Sequence, residues 1–247
     1  MTKFPIAEFK DKTTPFYFYD MALLKETLDA VKSAAPEGSF HVHYAIKANA
    51  NPELLKVIAK EGFGADCVSE GEIRAAIAAG FPSEKIAFAG VGKGDSEIDF
   101  ALEHNIFCFN VESLPELELI QEMAADKSRV ANIALRVNPN IDAHTHHYIT
   151  TGLKENKFGI DMKMLDDAIA YCLSHPSIRL IGLHFHIPIL TYYVFLLIGK
   201  EISGNLPYIL DVLKQVGRVD KITVHIVKIA HEHVAPENEF IKILGFF

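Results

Sequence analysis

Six short strand-like runs, alternating with amphipathic helical stretches, predict an α/β protein, a partial TIM-type (β/α)8 barrel of about six βα units. Three observations carry that prediction. Strand and helix patterns alternate along the chain. The longer strand runs set apolar residues on one face and polar ones on the other. And no G-x-G-x-x-G follows the first strand, as a dinucleotide-binding, doubly wound sheet would require.

The strand candidates are residues 41–48, 64–69, 85–90, 106–111, 131–138 and 180–187. Helical stretches at 52–61, 70–80, 95–104, 114–125 and 165–173 lie between them. Before these, the aromatic run 14–20 has the composition of a strand, with Pro15 suited to its start or to an edge. Asp20 is placed to cap a helix whose Leu23, Leu24, Leu28 and Val31 share one side.

The faces separate a barrel from an open sheet. Val42, Tyr44 and Ile46 alternate with His41, His43, Ala45 and Lys47; Ile133, Leu135 and Val137 with Ala134, Arg136 and Asn138; Ile181, Leu183 and Phe185 with Gly182, His184 and His186. Apolar residues toward helices and polar ones toward an interior fit a barrel with a central site. An open doubly wound sheet is more often apolar on both faces. A closed barrel of this type has eight strands. Residues 188–247 would have to supply the rest; 221–229 is one candidate, and no convincing eighth is visible.

Composition narrows the function classes. With 49% hydrophobic and 23% charged residues the chain can bury a core, and its 247 residues suit one large α/β barrel. The formal charge is -8 and no long basic run occurs, which argues against a nucleic-acid partner. Cys67, Cys108 and Cys172 make no CxxC pair and no disulfide framework, so a reducing cytoplasm is expected. The N-terminus lacks an apolar stretch of signal-peptide length. The most apolar stretch, 187–199, is shorter than the roughly 20 residues of a membrane-spanning helix, so no membrane is expected.

Several residues have chemistry to offer. Lys47 closes the first barrel strand, at the end where barrel enzymes carry their sites, and a neutral amine there forms a Schiff base with a carbonyl compound. The same position also suits a lysine that simply leaves the strand for solvent. His184 and His186 share an inward face; one of them stacking on a cofactor ring, or both as satisfied core histidines, fits the pattern. Asp66 and Arg136 are inward charges that need partners, in a site or in a structural ion pair; Asp66 has Lys47 as one such partner. His144, His146 and His147 crowd one loop without a second ligand group at metal spacing, and His231-Glu232-His233 lacks the H-E-x-x-H spacing, so no metal is expected.

Those residues lie inside longer stretches. His43-Tyr44-Ala45-Ile46-Lys47-Ala48-Asn49 resembles the cofactor-lysine motif of the alanine-racemase-like, fold-type III pyridoxal-phosphate enzymes. Residues 62–69, Cys108-Phe109-Asn110-Val111-Glu112-Ser113, Arg136-Val137-Asn138-Pro139-Asn140, Thr151-Gly152-Leu153, Asn156-Lys157-Phe158-Gly159 and 182–187 follow in that family's order. Together they resemble diaminopimelate decarboxylases more than ornithine or arginine decarboxylases. The resemblance implies a barrel followed by a β domain, in an enzyme that is usually a homodimer. It implies pyridoxal 5'-phosphate as cofactor, an amino acid as substrate, and decarboxylation of meso-diaminopimelate to L-lysine, in lysine biosynthesis. Residue by residue, Lys47 becomes the Schiff-base lysine, His186 the residue stacked on the pyridine ring, and Asp66 and Arg136 members of the polar network around the cofactor.

The pattern breaks after Ile187. Where the family continues with Gly-Ser-Gln, this chain has Pro188-Ile189-Leu190, which removes a phosphate-holding serine and, at the proline, a backbone donor. The downstream glycine run and the Glu-Pro-Gly-Arg motif do not follow. The expectation is therefore a two-part chain, 1–187 as N-terminal segment plus partial barrel and 188–247 as a divergent tail, with the family's C-terminal β domain missing, as in a fragment or frameshifted product. An incomplete barrel would expose strand edges, so low solubility or non-native association is expected of the isolated chain. A non-catalytic cofactor-binding or interaction remnant, and another basic amino-acid decarboxylase, are the alternatives.

Overall fold

The computed structural model describes residues 5–34, 41–138, 158–184 and 226–227. Five βα units run in sequence: β1 (Val42–Ala45) to α3 (Pro52–Lys60), β2 (Gly64–Cys67) to α4 (Glu70–Ala79), β3 (Ile86–Phe88) to α5 (Asp95–Glu103), β4 (Cys108–Val111) to α6 (Leu114–Asp126), and β5 (Ala131–Asn138) through β6 (Ile160–Asp161) to α7 (Leu165–Ser174). β7 (Ile178–His184) and β8 (Ile226–Val227) complete the described strands, and α1 (Ile6–Phe9) and α2 (Met21–Ala34) precede them all.

The strands lie in the order β8, β1, β2, β3, β4, β5, every pairing parallel, and the far edge of β5 carries β7 along its first part and β6 at Val137 and Asn138. Neighbours in space are thus neighbours in sequence from β1 to β5. A doubly wound sheet reverses its order midway; a barrel does not. With helices outside and polar residues inside, this is a partial TIM-type barrel.

Four helix starts have a side-chain cap. The Asn51 side chain accepts from Glu53 N–H, with Pro52 at the first helical position; Ser69 accepts from Glu72 N–H and Ser113 from Glu116 N–H. Asp20 Oδ1 takes the N–H groups of Ala22 and Leu23, each at 3.0 Å, as the sequence suggests. Gly80 ends α4 at φ 97°, a conformation that favours glycine. Outward strand residues such as Phe88, Phe109 and Ile133, with Ile46 just past β1, pack with Leu55, Ile73, Ile98 and Leu117 of the helices in one continuous core. A second, smaller cluster of Ala87, Cys108 and Ala134 lies on the opposite face of the sheet.

The structure departs from the sequence-based expectations at five places. The 14–20 run forms no strand: Phe16 and Phe18 pack edge-on against Phe9, at 5.2 and 5.1 Å between ring centres, and Tyr17 stacks on Tyr19. Its rings are used against one another rather than against a sheet. Leu23 is 38% exposed and leaves the buried side of α2 to Leu24, Leu28 and Val31. β1 stops at Ala45, and Ile46–Ala48 form a single 3-10 turn, so Lys47 stands just past the strand. β6 went unseen, being only two residues long. And Ile133 pairs with Leu180 while Ala134 pairs with Gly182, so Ile181 is the extra residue of a bulge. The bulge turns Ile181 to the small inner cluster instead of the helix side.

Candidate functional site

The C-terminal ends of the strands bring four elements together. Register places Ala45 beside Asp66, so Lys47 lies two residues beyond Asp66's neighbour on the adjacent strand. Arg136 pairs in register with His184, which is buried on the last full strand described. Lys47 is exposed, whereas Asp66 is 1% exposed. His186 and the histidines at 144, 146 and 147 lie outside the described residues, as do His231 and His233.

Asp66 is the electrostatic centre of this arrangement. Its carboxyl is pushed up to about 7, chiefly by burial and with Glu72 adding, against the downward pull of the Lys47, Arg136 and Lys93 charges. Oδ1 has no hydrogen-bond partner among the described residues. A buried carboxylate oxygen without a donor is costly unless a ligand supplies one. His43, inward on β1, has Nδ1 3.3 Å from the Ala65 carbonyl and its ring 5.8 Å from that of Phe107. Tyr44 donates its hydroxyl to the Asn49 carbonyl at 3.2 Å and so braces the turn that carries Lys47. Asn49 is held in turn by Tyr19, 3.2 Å away.

Arg136 does not stand alone. Its Nη1 donates to both Glu112 oxygens at 2.6 Å, with side chains 11% and 5% exposed. Behind that pair, Glu116 Oε2 accepts from Glu112 N–H at 3.1 Å, and Glu116 Oε1 holds Lys93 Nζ at 2.6 Å. Lys93 Nζ also donates to the Gly90 and Asn110 carbonyls at 2.8 Å. Sequence reasoning missed Glu112, Lys93 and Glu116. Glu112 was within reach: the inward period of two that gives Cys108 and Asn110 continues to it.

These residues fit a cofactor that bears an aldehyde and hydrogen-bonding ring substituents. An accessible lysine at the strand ends supplies the amine and the unpartnered Asp66 oxygen an acceptor.

The fold and this site define a class, the α/β barrels of the fold-type III pyridoxal-phosphate enzymes. The chain belongs to the family described as "Pyridoxal-dependent decarboxylase, pyridoxal binding domain", whose model matches residues 21–188. Pyridoxal phosphate is the cofactor of that family. The chain is 57% identical over 185 residues to the diaminopimelate decarboxylase of Bacteroides thetaiotaomicron, covering 74% of this chain and 48% of that protein. The Aquifex aeolicus diaminopimelate decarboxylase is 38% identical over 210 residues, 85% of this chain and 47% of its own. Among solved structures, diaminopimelate decarboxylase from M. jannaschii superposes with a TM-score of 0.77 at 32% identity, over 97% of this chain and 58% of that one. The Helicobacter pylori enzyme, solved with L-lysine bound, gives 0.75 at 35% identity, over 93% and 59%. The chain spans about half the length of the curated relatives it matches. Among the described residues, no helix is long and apolar enough to cross a membrane.

Proposed function

We propose that this chain is the cofactor-binding barrel part of a diaminopimelate decarboxylase, with Lys47 as the residue that carries pyridoxal 5'-phosphate. The observation that carries the reading is Lys47 standing at the strand ends beside a buried carboxylate with an unpartnered oxygen, in a chain of this family. The substrate is meso-diaminopimelate and the products are carbon dioxide and L-lysine. When bound, the cofactor supplies an electron sink for the pair left by the departing carboxylate.

The chain's own residues prepare that chemistry. Lys47, exposed just past the end of β1, would supply the amine that holds the cofactor through its aldehyde. Asp66 would accept a hydrogen bond from the cofactor at Oδ1 and, with its carboxyl pushed up to about 7, holds or releases a proton at physiological pH. Arg136 adds positive charge on the same side, and His186, by its place in the family's motif order, would stack on the cofactor ring. The family's motif pattern ends near residue 187, although Ile226–Val227 beyond it pair with β1; the enzyme works in the cytoplasm as a homodimer on a small amino acid. The break in the family's phosphate-holding pattern after Ile187 favours a second reading, a protein that binds the cofactor without turnover.

Borohydride reduction of the chain mixed with pyridoxal phosphate, followed by peptide mass spectrometry, tests the assignment. Label on Lys47 alone is expected. Label scattered over surface lysines, or none, defeats it. Carbon dioxide release from diaminopimelate then separates turnover from binding alone.

A further inference from the structure

We propose that Glu112 is a positioning residue, anchored from behind by the Glu116–Lys93 pair, that holds the Arg136 guanidinium at the inner, C-terminal end of the sheet. The inference deepens the cofactor-site reading and rests on it for Arg136's task, though the positioning itself is a property of the chain alone. Val111 pairs in register with Leu135, so Glu112 and Arg136 are the next neighbours up the two strands. Both carboxylate oxygens meet a single guanidinium nitrogen at 2.6 Å, in a place almost closed to water. The Glu112 backbone is pinned by Glu116, and Glu116 by a lysine whose side chain is 1% exposed and whose ammonium already satisfies two carbonyls. Two ion pairs linked by one backbone hydrogen bond thus join the loops after β3 and β4 to β5.

A clip for stability alone would need the charges but not their direction. Direction matters because Arg136 acts on Asp66 through space, together with Lys47, Lys93 and Glu72. A guanidinium held by two carboxylate oxygens cannot turn to pair with Asp66, and is left presenting its remaining N–H groups to a ligand.

The test uses the whole chain in two readouts. In the first, without cofactor, the Asp66 carboxyl is titrated by carbon NMR. Glu112→Gln is expected to lower its midpoint by about one pH unit, because the released guanidinium turns to it. Glu112→Asp, which keeps the charge on a shorter arm, draws the guanidinium back and moves the midpoint up; it serves also where Glu112→Gln does not fold. Midpoints unchanged in folded variants would overturn the proposal. In the second, pyridoxal phosphate affinity is measured for Glu112→Gln, Arg136→Met and the double variant. Positioning predicts that each single change weakens binding about tenfold or more and that the double change adds little further. Additive losses, or wild-type affinity in Glu112→Gln beside a weakened Arg136→Met, would overturn it. A parent chain that binds no cofactor while its Asp66 midpoint shifts as predicted would overturn the cofactor reading and leave the positioning intact.

Discussion

Lys93 Nζ lies 2.6 Å from Glu116 Oε1, with the two side chains 1% and 9% exposed, and 5.2 Å from the centre of the Phe88 ring. This is an ion pair inside the protein rather than on its surface. Burial, with the Glu112 charge adding, pushes the Glu116 carboxyl up, and the Lys93 charge opposes it. Removing one partner strands the other. Lys93→Met is expected to cost about 3–5 kcal/mol of stability, whereas Lys93→Met with Glu116→Gln costs less than the sum of the single changes. Urea denaturation of the three variants checks this. Equal, additive losses would show that the pair carries no coupling.

Asp66 makes stability depend on pH. Its folded carboxyl titrates near 7, above its ordinary 3.8. The folded state therefore binds the proton more tightly than the unfolded one. Stability is full below about pH 4 as far as this group is concerned, falls as pH rises, and levels off above about 7. The loss is on the order of 4 kcal/mol across that window. Asp66→Asn is expected to flatten the slope between pH 4 and 7, read as denaturation midpoints at each pH. An unchanged slope would place the titrating group elsewhere.

Gly64 has no room for a side chain. A Cβ there would meet His43 Nδ1 and the Lys85 carbonyl oxygen, both at 2.6 Å. The carbonyl belongs to the backbone and cannot swing away. Gly64→Ala is expected to destabilise the chain by about 1–3 kcal/mol and to disturb His43 on β1. A thermal melt together with the His43 imidazole NMR signal measures both effects.

The three cysteines are buried, and burial pushes their thiols up, Cys172 to about 12. Thiolate is the reactive form, so the native chain should resist a disulfide reagent at neutral pH and react at Cys67, Cys108 and Cys172 once unfolded. A rapid native reaction at Cys67 or Cys108 would mean that the sheet opens easily at β2 or β4.

The helices were readable because their signals are local. Ser69 and Ser113 each cap a helix through a residue three positions on, and a period of two set Asp66 and Arg136 on the inner face. The strand ends were less legible: β1 stops short of Lys47 because the chain turns there, which no periodicity announces. The aromatic run 16–19 reads as a strand by composition, yet its rings have Phe9 to pack on.

By itself the sequence determined the alternation of strands and helices, the face each strand turns inward, and the order of motifs around Lys47 that marks the family. Only the tertiary structure decided which charge meets which. Arg136 reaches Glu112 across 24 residues and Lys93 reaches Glu116 across 23, and the bulge at Ile181 sets how β7 meets β5. Such pairings follow from parallel register and from the cost of leaving a buried charge alone, both of which exist only once the strands lie side by side.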